Sequence, residues 1–574
     1  MPTTIRAIEK LPVEMLRQIF VLGEKMHRGP RAVELPHVGF QDSIVQVCRL
    51  WRDIAVATPE LWTYIYISRP PPHPYAELYI SRSGTLPLHI DFDTRAPSTK
   101  PARSLDDRQQ AIQALETMTL VEQYGGNIDR WRSLIVHSES PLVVLAMVKL
   151  VTASPTPALQ FLSLAWEANT NVAADQEGLL LEESIPLNFP YLAHGPERPR
   201  LRHVEAIGLT NFFVFGMQSP RVSNLTTFTF ACPPTWSLPS HQQFSLLLSA
   251  SPHLESLSID MGSVDPKYFP FQLKPSQIAS LQVHLPLLRS FSLSTAHLRK
   301  WCLQLLQMID APEVEYFSIN TGSKFGISTP SSEGLYEYLA RGRVDGVLQS
   351  DASIPDDISG AGPVFPLLKH LNVEPMMGVP DEIPAVLRIF PMVTDVTLGG
   401  HGILALSNQP DLVPNASHFT YIDDGSSALA LAGFSRSRAV QRAISTLVVC
   451  TGRPRRVYEE LGLVYKGDEL GREGHYHLPG LVDHLTVRQV DRKPVNRKDD
   501  DDGVLTESNK DAYTDLVPEP DTDESAPTGE LGEDEEQIGS SNGDQGTAGR
   551  VWGFPWISLT HGIFSFMKMA FRYL

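Results

Sequence analysis

The chain has 574 residues, 42% of them hydrophobic, a formal net charge of −18 at pH 7 and a mean hydropathy of −0.12. This length exceeds one ordinary core, and the composition argues against a membrane protein and against a wholly disordered one. Residues 499–550 contain seventeen acidic and two basic residues, so the remainder is nearly neutral and lacks the basic surface of a nucleic-acid-binding protein.

Residues 11–62 predict two short amphipathic helices. Pro12 suits the first helical position, where its missing N–H is not needed. Apolar residues then recur at i, i+3 and i+4 spacing on one face of the first helix: Met15, Leu16, Ile19 and Phe20. The same spacing continues over a single second helix that ends near Pro59: Ile44, Val47, Cys48, Trp51, Ile54 and Ala55. Helices this short do not bury that much apolar surface alone, so they need partners.

The order of these residues carries a family resemblance. L-P-x-E-x-L-x-x-I-F over residues 11–20, V-C-x-x-W-R over 47–52 and P-x-L-W over 59–62 resemble the F-box of fungal, mushroom-type F-box-like proteins. An F-box binds a Skp-family adaptor and through it a cullin. The resemblance implies these adaptor-binding residues: Leu11, Pro12, Leu16, Ile19, Phe20, Val47, Cys48, Trp51 and Trp62. The loop 23–43 is longer than in the family, and an ordinary helical hairpin is the alternative interpretation.

A short pattern, apolar-x-x-apolar-x-apolar, recurs ten times after the F-box-like segment. It begins at Trp131, Leu159, Leu201, Leu225, Leu254, Leu288, Val314, Leu368, Val393 and Ile444. Most starts lie 24–34 residues apart, and the three longer gaps of 42, 54 and 51 residues fit a degenerate copy or an inserted loop. The last two apolar positions of each copy alternate around a polar residue, which predicts a strand with one buried face.

Helical patterns lie between these strands, at 242–251 and 298–309, and a short helix ending at Gly84 precedes another strand within 75–92. Strand and helix at this period resemble irregular leucine-rich repeats, which implies a solenoid with parallel strands on one face and helices on the other. Five residues should then point inward in register: Leu257, Phe291, Phe317, Leu371 and Val396. Residues 399–402 predict a turn. A conventional α/β domain is the alternative.

The sequence thus predicts an α+β chain of four parts: a helical F-box-like domain at 5–68, a leucine-rich-repeat-like solenoid at 75–490, a disordered basic-then-acidic linker at 491–550 and an aromatic amphipathic segment at 551–574. Polar residues interrupt that last segment too often for a membrane-spanning helix. It could fold back onto the solenoid, bind a partner or lie on a membrane surface.

No pattern typical of an enzyme, a metal site or a cofactor site emerges. Asp91 and Asp93 suit a solvated face, and His475, His477 and His484 have no nearby cysteine or acidic cluster to complete a ligand set. The cysteines, Cys48, Cys232, Cys302 and Cys450, are too scattered for a disulfide framework or a zinc site. Residues 1–10 lack the apolar run of a secretion signal, so cytoplasmic or nuclear localisation is expected.

These features together predict a non-catalytic protein. The resemblance implies a substrate receptor of an SCF-type cullin–RING ubiquitin ligase, in which the F-box holds the adaptor and the repeats hold a target protein of unknown identity. The alternative is a leucine-rich-repeat scaffold that binds partners without joining a ligase. An unrecognised hydrolase or transferase is the third class.

Overall fold

The structure is a computed structural model. It describes residues 11–27, 39–68, 73–95, 106–153, 156–166, 200–209, 214–215, 220, 222–231, 238–261, 273–294, 299–320, 335, 338–340, 363–373, 382–422, 434, 444–451, 464–467, 473–477 and 482–489. All described residues belong to one compact unit within residues 1–491. The predicted linker at 491–550 and the aromatic segment at 551–574 lie outside the described residues.

Three helices and a short turn open the chain: α1 (Val13–His27), α2 (Phe40–Val47), α3 (Arg49–Val56) and a 3-10 turn (Pro59–Trp62). The single second helix predicted from the apolar spacing is wrong. Cys48 between α2 and α3 has an extended backbone, with φ −158° and ψ 171°, and its Sγ accepts a hydrogen bond from the Trp51 N–H. This side-chain cap starts a new helix, and the apolar spacing continues across the break because α2 and α3 pack on the same core.

The helical segment continues directly into a parallel sheet. Strand β1 (Tyr64–Ile67) pairs in parallel with β2 (Leu88–Asp93), and α4 (Pro74–Ser83) connects them. Gly84, with φ +60°, ends α4 at the predicted place. The fold class is therefore α/β and not the predicted α+β, because parallel strands joined by helices begin already at β1.

The main sheet grows along the chain almost one strand at a time. Its further parallel strands with described side chains are β3 (Trp131–Ser138), β4 (Phe161–Trp166), β5 (His203–Ile207), β6 (Thr227–Ala231), β7 (Ser256–Asp260), β9 (Ser290–Ser294), β11 (Tyr316–Asn320), β12 (His370–Val373), β13 (Asp395–Leu398) and β14 (His418–Ile422). Strands β8 (Val283–His284) and β10 (Ile309–Asp310) form a separate parallel pair.

The sheet continues beyond β14 with strands described by their backbone. Strand β15 (Ile444–Thr451) and then β18 (Val482–Gln489) extend the parallel order. Strands β17 (Glu473–His477) and β16 (Val464–Gly467) follow β18 in antiparallel orientation. The chain therefore changes direction at each of the last two strand pairs, β18–β17 and β17–β16, whereas all earlier neighbouring strands of the main sheet are parallel.

The predicted register of the repeated pattern is confirmed over five strands. Leu257 pairs with Phe291, Phe291 with Phe317, Phe317 with Leu371 and Leu371 with Val396. All five side chains are buried. Two positions further along each strand lies a second buried row: Ile259, Leu293, Ile319, Val373 and Leu398. Alternation within short strands thus places two apolar residues per strand in one continuous core.

Strand pairing explains the three long gaps in the repeat. The gap of 51 residues contains an unrecognised copy, because β14 with Phe419 and Tyr421 lies between β13 and β15. In contrast, β4 pairs directly with β5, and β11 pairs directly with β12. The gaps of 42 and 54 residues are therefore insertions between neighbouring strands.

Helices cover the buried side of the sheet. They are α5 (Asp107–Gln123), α6 (Pro141–Ala153), α7 (His241–Ser249), α8 (Pro275–Ser280), α9 (Arg299–Met308), α10 (Glu382–Ile389) and α11 (Gly400–Asn408). The ring of Phe244 on α7 lies 6.2 Å from that of Phe230 on β6 and 5.7 Å from that of Trp301 on α9. These contacts join helix to strand and helix to helix.

Two predictions about local structure have opposite outcomes. The helix predicted at 298–309 is present as α9, and its Trp301, Cys302 and Leu305 are buried. The predicted turn at 399–402 is wrong, because α11 begins at Gly400 with Gly399 as its N-cap. Burial of Ile403 and Leu406 stabilises this helix and offsets the low helix propensity of its glycines. Across the described ranges, no helix is both long and apolar enough to cross a membrane.

Candidate functional site

The N-terminal helices enclose a core of their own. The Phe20 and Trp51 rings meet at a centroid distance of 5.1 Å and an angle of 58°. Leu16 and Ile19 are buried on the same face of α1 as Phe20. Four predicted adaptor-binding residues, Leu16, Ile19, Phe20 and Trp51, therefore hold α1 against α3. Their side chains lie in the core of these helices, and their contact with an adaptor stays a prediction.

Trp62 is also part of this core. It is fully buried, and its indole N–H donates a 2.9 Å hydrogen bond to the Ala55 carbonyl at the end of α3. On its other side the indole meets the Tyr79 ring at 5.2 Å and the Arg82 guanidinium carbon at 4.4 Å. Trp62 therefore joins α3 to α4, and its contact with an adaptor, like that of the four residues above, stays a prediction.

The remaining predicted residues reach the surface. Pro12 and Cys48 are exposed, Leu11 is partly exposed, and Val47 is 47% exposed. Five further large apolar residues of these helices share this exposure, and two of them, Val13 at 40% and Leu50 at 43%, lie directly beside predicted residues; the others are Leu22, Met26 and Val56. None of the five is among the residues predicted from sequence. The available signal was that Val13 and Leu50 are apolar but lie outside the i, i+3, i+4 stripes that form the core.

The second candidate site is the outward face of the main sheet, formed by the strand residues that alternate with the buried ones. Its central part consists of small hydroxyl side chains on three adjacent strands: Thr227 and Thr229 on β6, Ser256 and Ser258 on β7, and Ser290 and Ser292 on β9. All six are partly exposed. Within the part of the chain that the structure describes, none of these hydroxyls makes a side-chain hydrogen bond. We call them the hydroxyl block.

A carboxylate lies on each side of the hydroxyl block. On β5, Glu205 accepts a 2.7 Å hydrogen bond from the Ser163 hydroxyl. On β13, Asp395 lies between two histidines of the neighbouring strands, with its oxygens 3.5 Å from His370 Nδ1 and 3.8 Å from His418 Nδ1. The Asp395 side chain is 34% exposed. Both carboxylates therefore contact hydroxyl or imidazole groups, and each remains open to further hydrogen bonds.

The first strands of the outward face form a more enclosed polar cluster. The Tyr64 hydroxyl donates a hydrogen bond to Asp91, and burial raises the pKa of Asp91 above its usual range. Asp93 pairs with Arg95 at 2.6 Å. The predicted solvated face is therefore wrong for Asp91, because neighbouring strands of the sheet cover its carboxyl group, whereas Asp93 keeps a charged partner.

The described residues contain no group of three or more histidine, cysteine, aspartate or glutamate side chains that could hold a metal ion. His475 and His477 lie on β17 and His484 on β18, whose side chains are outside the description. Cys48 and Cys302 are thiols, the first exposed and the second buried.

The chain matches no protein-family model and has no significant match among curated proteins.

Proposed function

We propose that this protein is a non-catalytic substrate receptor of an SCF-type cullin–RING ubiquitin ligase in the cytoplasm, the nucleus or both. In this proposal residues 11–62 act as an F-box that binds a Skp-family adaptor, and the following strands and helices act as a leucine-rich-repeat solenoid that binds a target protein. Catalysis then belongs to other subunits of the complex.

One observation carries the adaptor-binding part of the proposal. The N-terminal helices have a complete core around Phe20, Trp51 and Trp62, yet Val47 and Leu50 on either side of the α2–α3 junction remain exposed. Neither side chain is needed to complete this core, so their exposure indicates a surface that a partner protein covers. Because each is already about half-buried, covering the remaining surface would contribute about 1 kcal/mol per side chain to binding.

The test is a pull-down with a purified recombinant Skp-family adaptor. Val47→Lys/Leu50→Lys should abolish adaptor capture, because two lysines in an apolar interface lose their hydration. Leu11→Ala/Pro12→Ala should weaken it, and Ile112→Lys, at an exposed apolar position on α5, should leave it unchanged. If the unsubstituted protein captures no adaptor, the ligase role is refuted.

The second candidate function is a leucine-rich-repeat scaffold outside any ligase. The direct pairing of β1 with β2 favours it, because a helical segment attached to the first strand also serves as a cap for the end of the sheet. Adaptor capture separates the two functions, since a cap has no need of an adaptor.

A further inference from the structure

The outward face of the main sheet has a charge pattern that the adaptor surface does not explain. From β1 to β14, the outward positions of the pairing register include five carboxylates: Asp91, Asp93, Glu205, Asp260 and Asp395. Among these strands the structure describes one lysine or arginine, Arg132 at the start of β3, which is exposed and donates a 3.3 Å hydrogen bond to the Gln160 side chain. Arg95, just after β2, lies against Asp93. The face itself is therefore acidic.

Apart from Arg95, the lysines and arginines that the structure describes on or beside these strands lie at the edge where the strands begin. There Arg202, Glu255, Arg289, Glu315 and Lys369 alternate in sign from β5 to β12, and Lys369 Nζ lies 3.2 Å from Glu315. Arg202, Arg289 and Lys369 each have a carboxylate, Glu255 or Glu315, one or two strands away. The edge charges thus largely compensate one another and leave Glu205 and Asp395 as carboxylates without a lysine or arginine among their described contacts.

The distance between these two carboxylates sets the size of a matching partner. Six strand-to-strand steps separate β5 from β13 in the sheet. At about 4.8 Å a step the separation is about 29 Å, which an extended peptide spans with about nine residues at about 3.3 Å each. The hydroxyl block occupies three of the strands between them, and its short side chains let a peptide backbone approach closely.

We propose that this face binds an extended segment of the target protein with a lysine or arginine near each end, about nine residues apart, and uncharged polar residues between. Glu205 and Asp395 pair with the two cations. The hydroxyl block donates and accepts hydrogen bonds to the backbone and amide groups of the segment. This proposal rests on the proposed role of this face as the target-binding surface, and the class of target is a protein with such a basic, extended segment.

The test uses the full chain and fluorescein-labelled peptides of about ten residues, measured by fluorescence anisotropy at low salt. The probe has arginine at both ends with serine, asparagine and glycine between. One control peptide has glutamate at both ends, and another has both arginines adjacent at one end. The probe should bind most tightly, and binding should weaken when the ionic strength is raised to about 0.3 M.

Variants connect the binding to the two carboxylates. Glu205→Gln and Asp395→Asn preserve side-chain shape, and each should weaken probe binding about two- to fivefold, as expected for a partly exposed ion pair. Glu116→Gln, on an exposed helical position, should have no effect. Absence of saturable probe binding at about 1 mM, equal binding of the glutamate peptide, or unchanged affinity in Glu205→Gln/Asp395→Asn would each overturn the proposal.

Adaptor capture by the same variants keeps this proposal separate from the ligase role. Glu205→Gln/Asp395→Asn should capture the adaptor as the unsubstituted protein does, because both positions lie on the sheet and not on the N-terminal helices. Probe binding without adaptor capture refutes the ligase role only, and adaptor capture without probe binding refutes the basic segment only.

Discussion

The Tyr79 hydroxyl donates a 2.7 Å hydrogen bond to the Asp42 carboxylate, which joins α4 to α2. Burial and this carboxylate together raise the pKa of Tyr79 far above its usual value, so the phenol remains a hydrogen-bond donor. The same ring also meets Trp62. The N-terminal helices and the first βαβ unit are therefore held together by a polar contact and an aromatic contact at one side chain.

Tyr79→Phe should lower the free energy of unfolding by about 1.5–3 kcal/mol, the value of a hydrogen bond to a charged group. Phenylalanine keeps the ring contact with Trp62 but leaves Asp42 without this donor. The measurement is urea denaturation followed by far-ultraviolet circular dichroism. Tyr75→Phe is the matched control, because Tyr75 on the same helix is 67% exposed. Equal stability of the two variants would contradict the assigned role.

Trp51→Ala should destabilise the protein by about 3–5 kcal/mol, as expected for truncation of a large buried side chain. Val47→Ala should change the stability by no more than about 0.5 kcal/mol, because Val47 is exposed. Differential scanning fluorimetry compares both with the unsubstituted chain. A stable Trp51→Ala protein would show that the indole is not part of the core of α1 and α3.

Gly208→Ala should be destabilising by at least about 2 kcal/mol. Gly208 has φ +70°, and a Cβ there would lie 2.2 Å from the Trp166 carbonyl oxygen. Gly125→Ala tests the conformational part alone, because Gly125 has φ +89° but open space around the added carbon. Thermal unfolding should therefore show a larger loss for Gly208→Ala, and the reverse order would exclude the close approach to Trp166.

The stability should decrease as the pH falls below about 6.5. Burial lowers the pKa of His73 and of His241 in the folded protein, so the unfolded chain binds more protons below its own histidine pKa and acid favours unfolding. Urea midpoints at pH 7.5 and 5.5 measure the effect.

His241→Asn should reduce the difference between the two urea midpoints. This variant separates the contribution of His241 from that of Asp91, because the raised pKa of Asp91 makes the folded protein more stable as the pH falls. An unchanged difference in His241→Asn would show that His241 does not contribute.

Much of the sheet could be predicted from sequence because each strand is short and alternates strictly. Two buried residues per strand, as in Leu257 and Ile259, leave a period-two signal that survives in irregular copies. The copy with Phe419 was missed, since it begins with Ala416 in place of a large apolar residue. The break at Cys48 was missed because a single side-chain cap leaves the apolar spacing unchanged.

The candidate site was harder to predict for a different reason. The motif around Phe20 and Trp51 marks residues by type and order, and the same pattern arises whether a side chain faces a partner or its own core. Only the packing of α1 against α3 separates Trp51 from Val47. Likewise, Glu205 and Asp395 are far apart in sequence, and their relationship depends on how many strands lie between β5 and β13.

The direct pairing of β4 with β5 and of β11 with β12 has a consequence for how such a chain can evolve. Hydrogen bonds between adjacent strands fix the register, and the closure entropy of a long connection rises by only about 0.6 kcal/mol for each doubling of its length. Genes encoding this fold can therefore gain or lose coding sequence between β4 and β5 and between β11 and β12 without changing the register of these strands. Homologous chains should differ in length at these two places before they differ in the strands on either side.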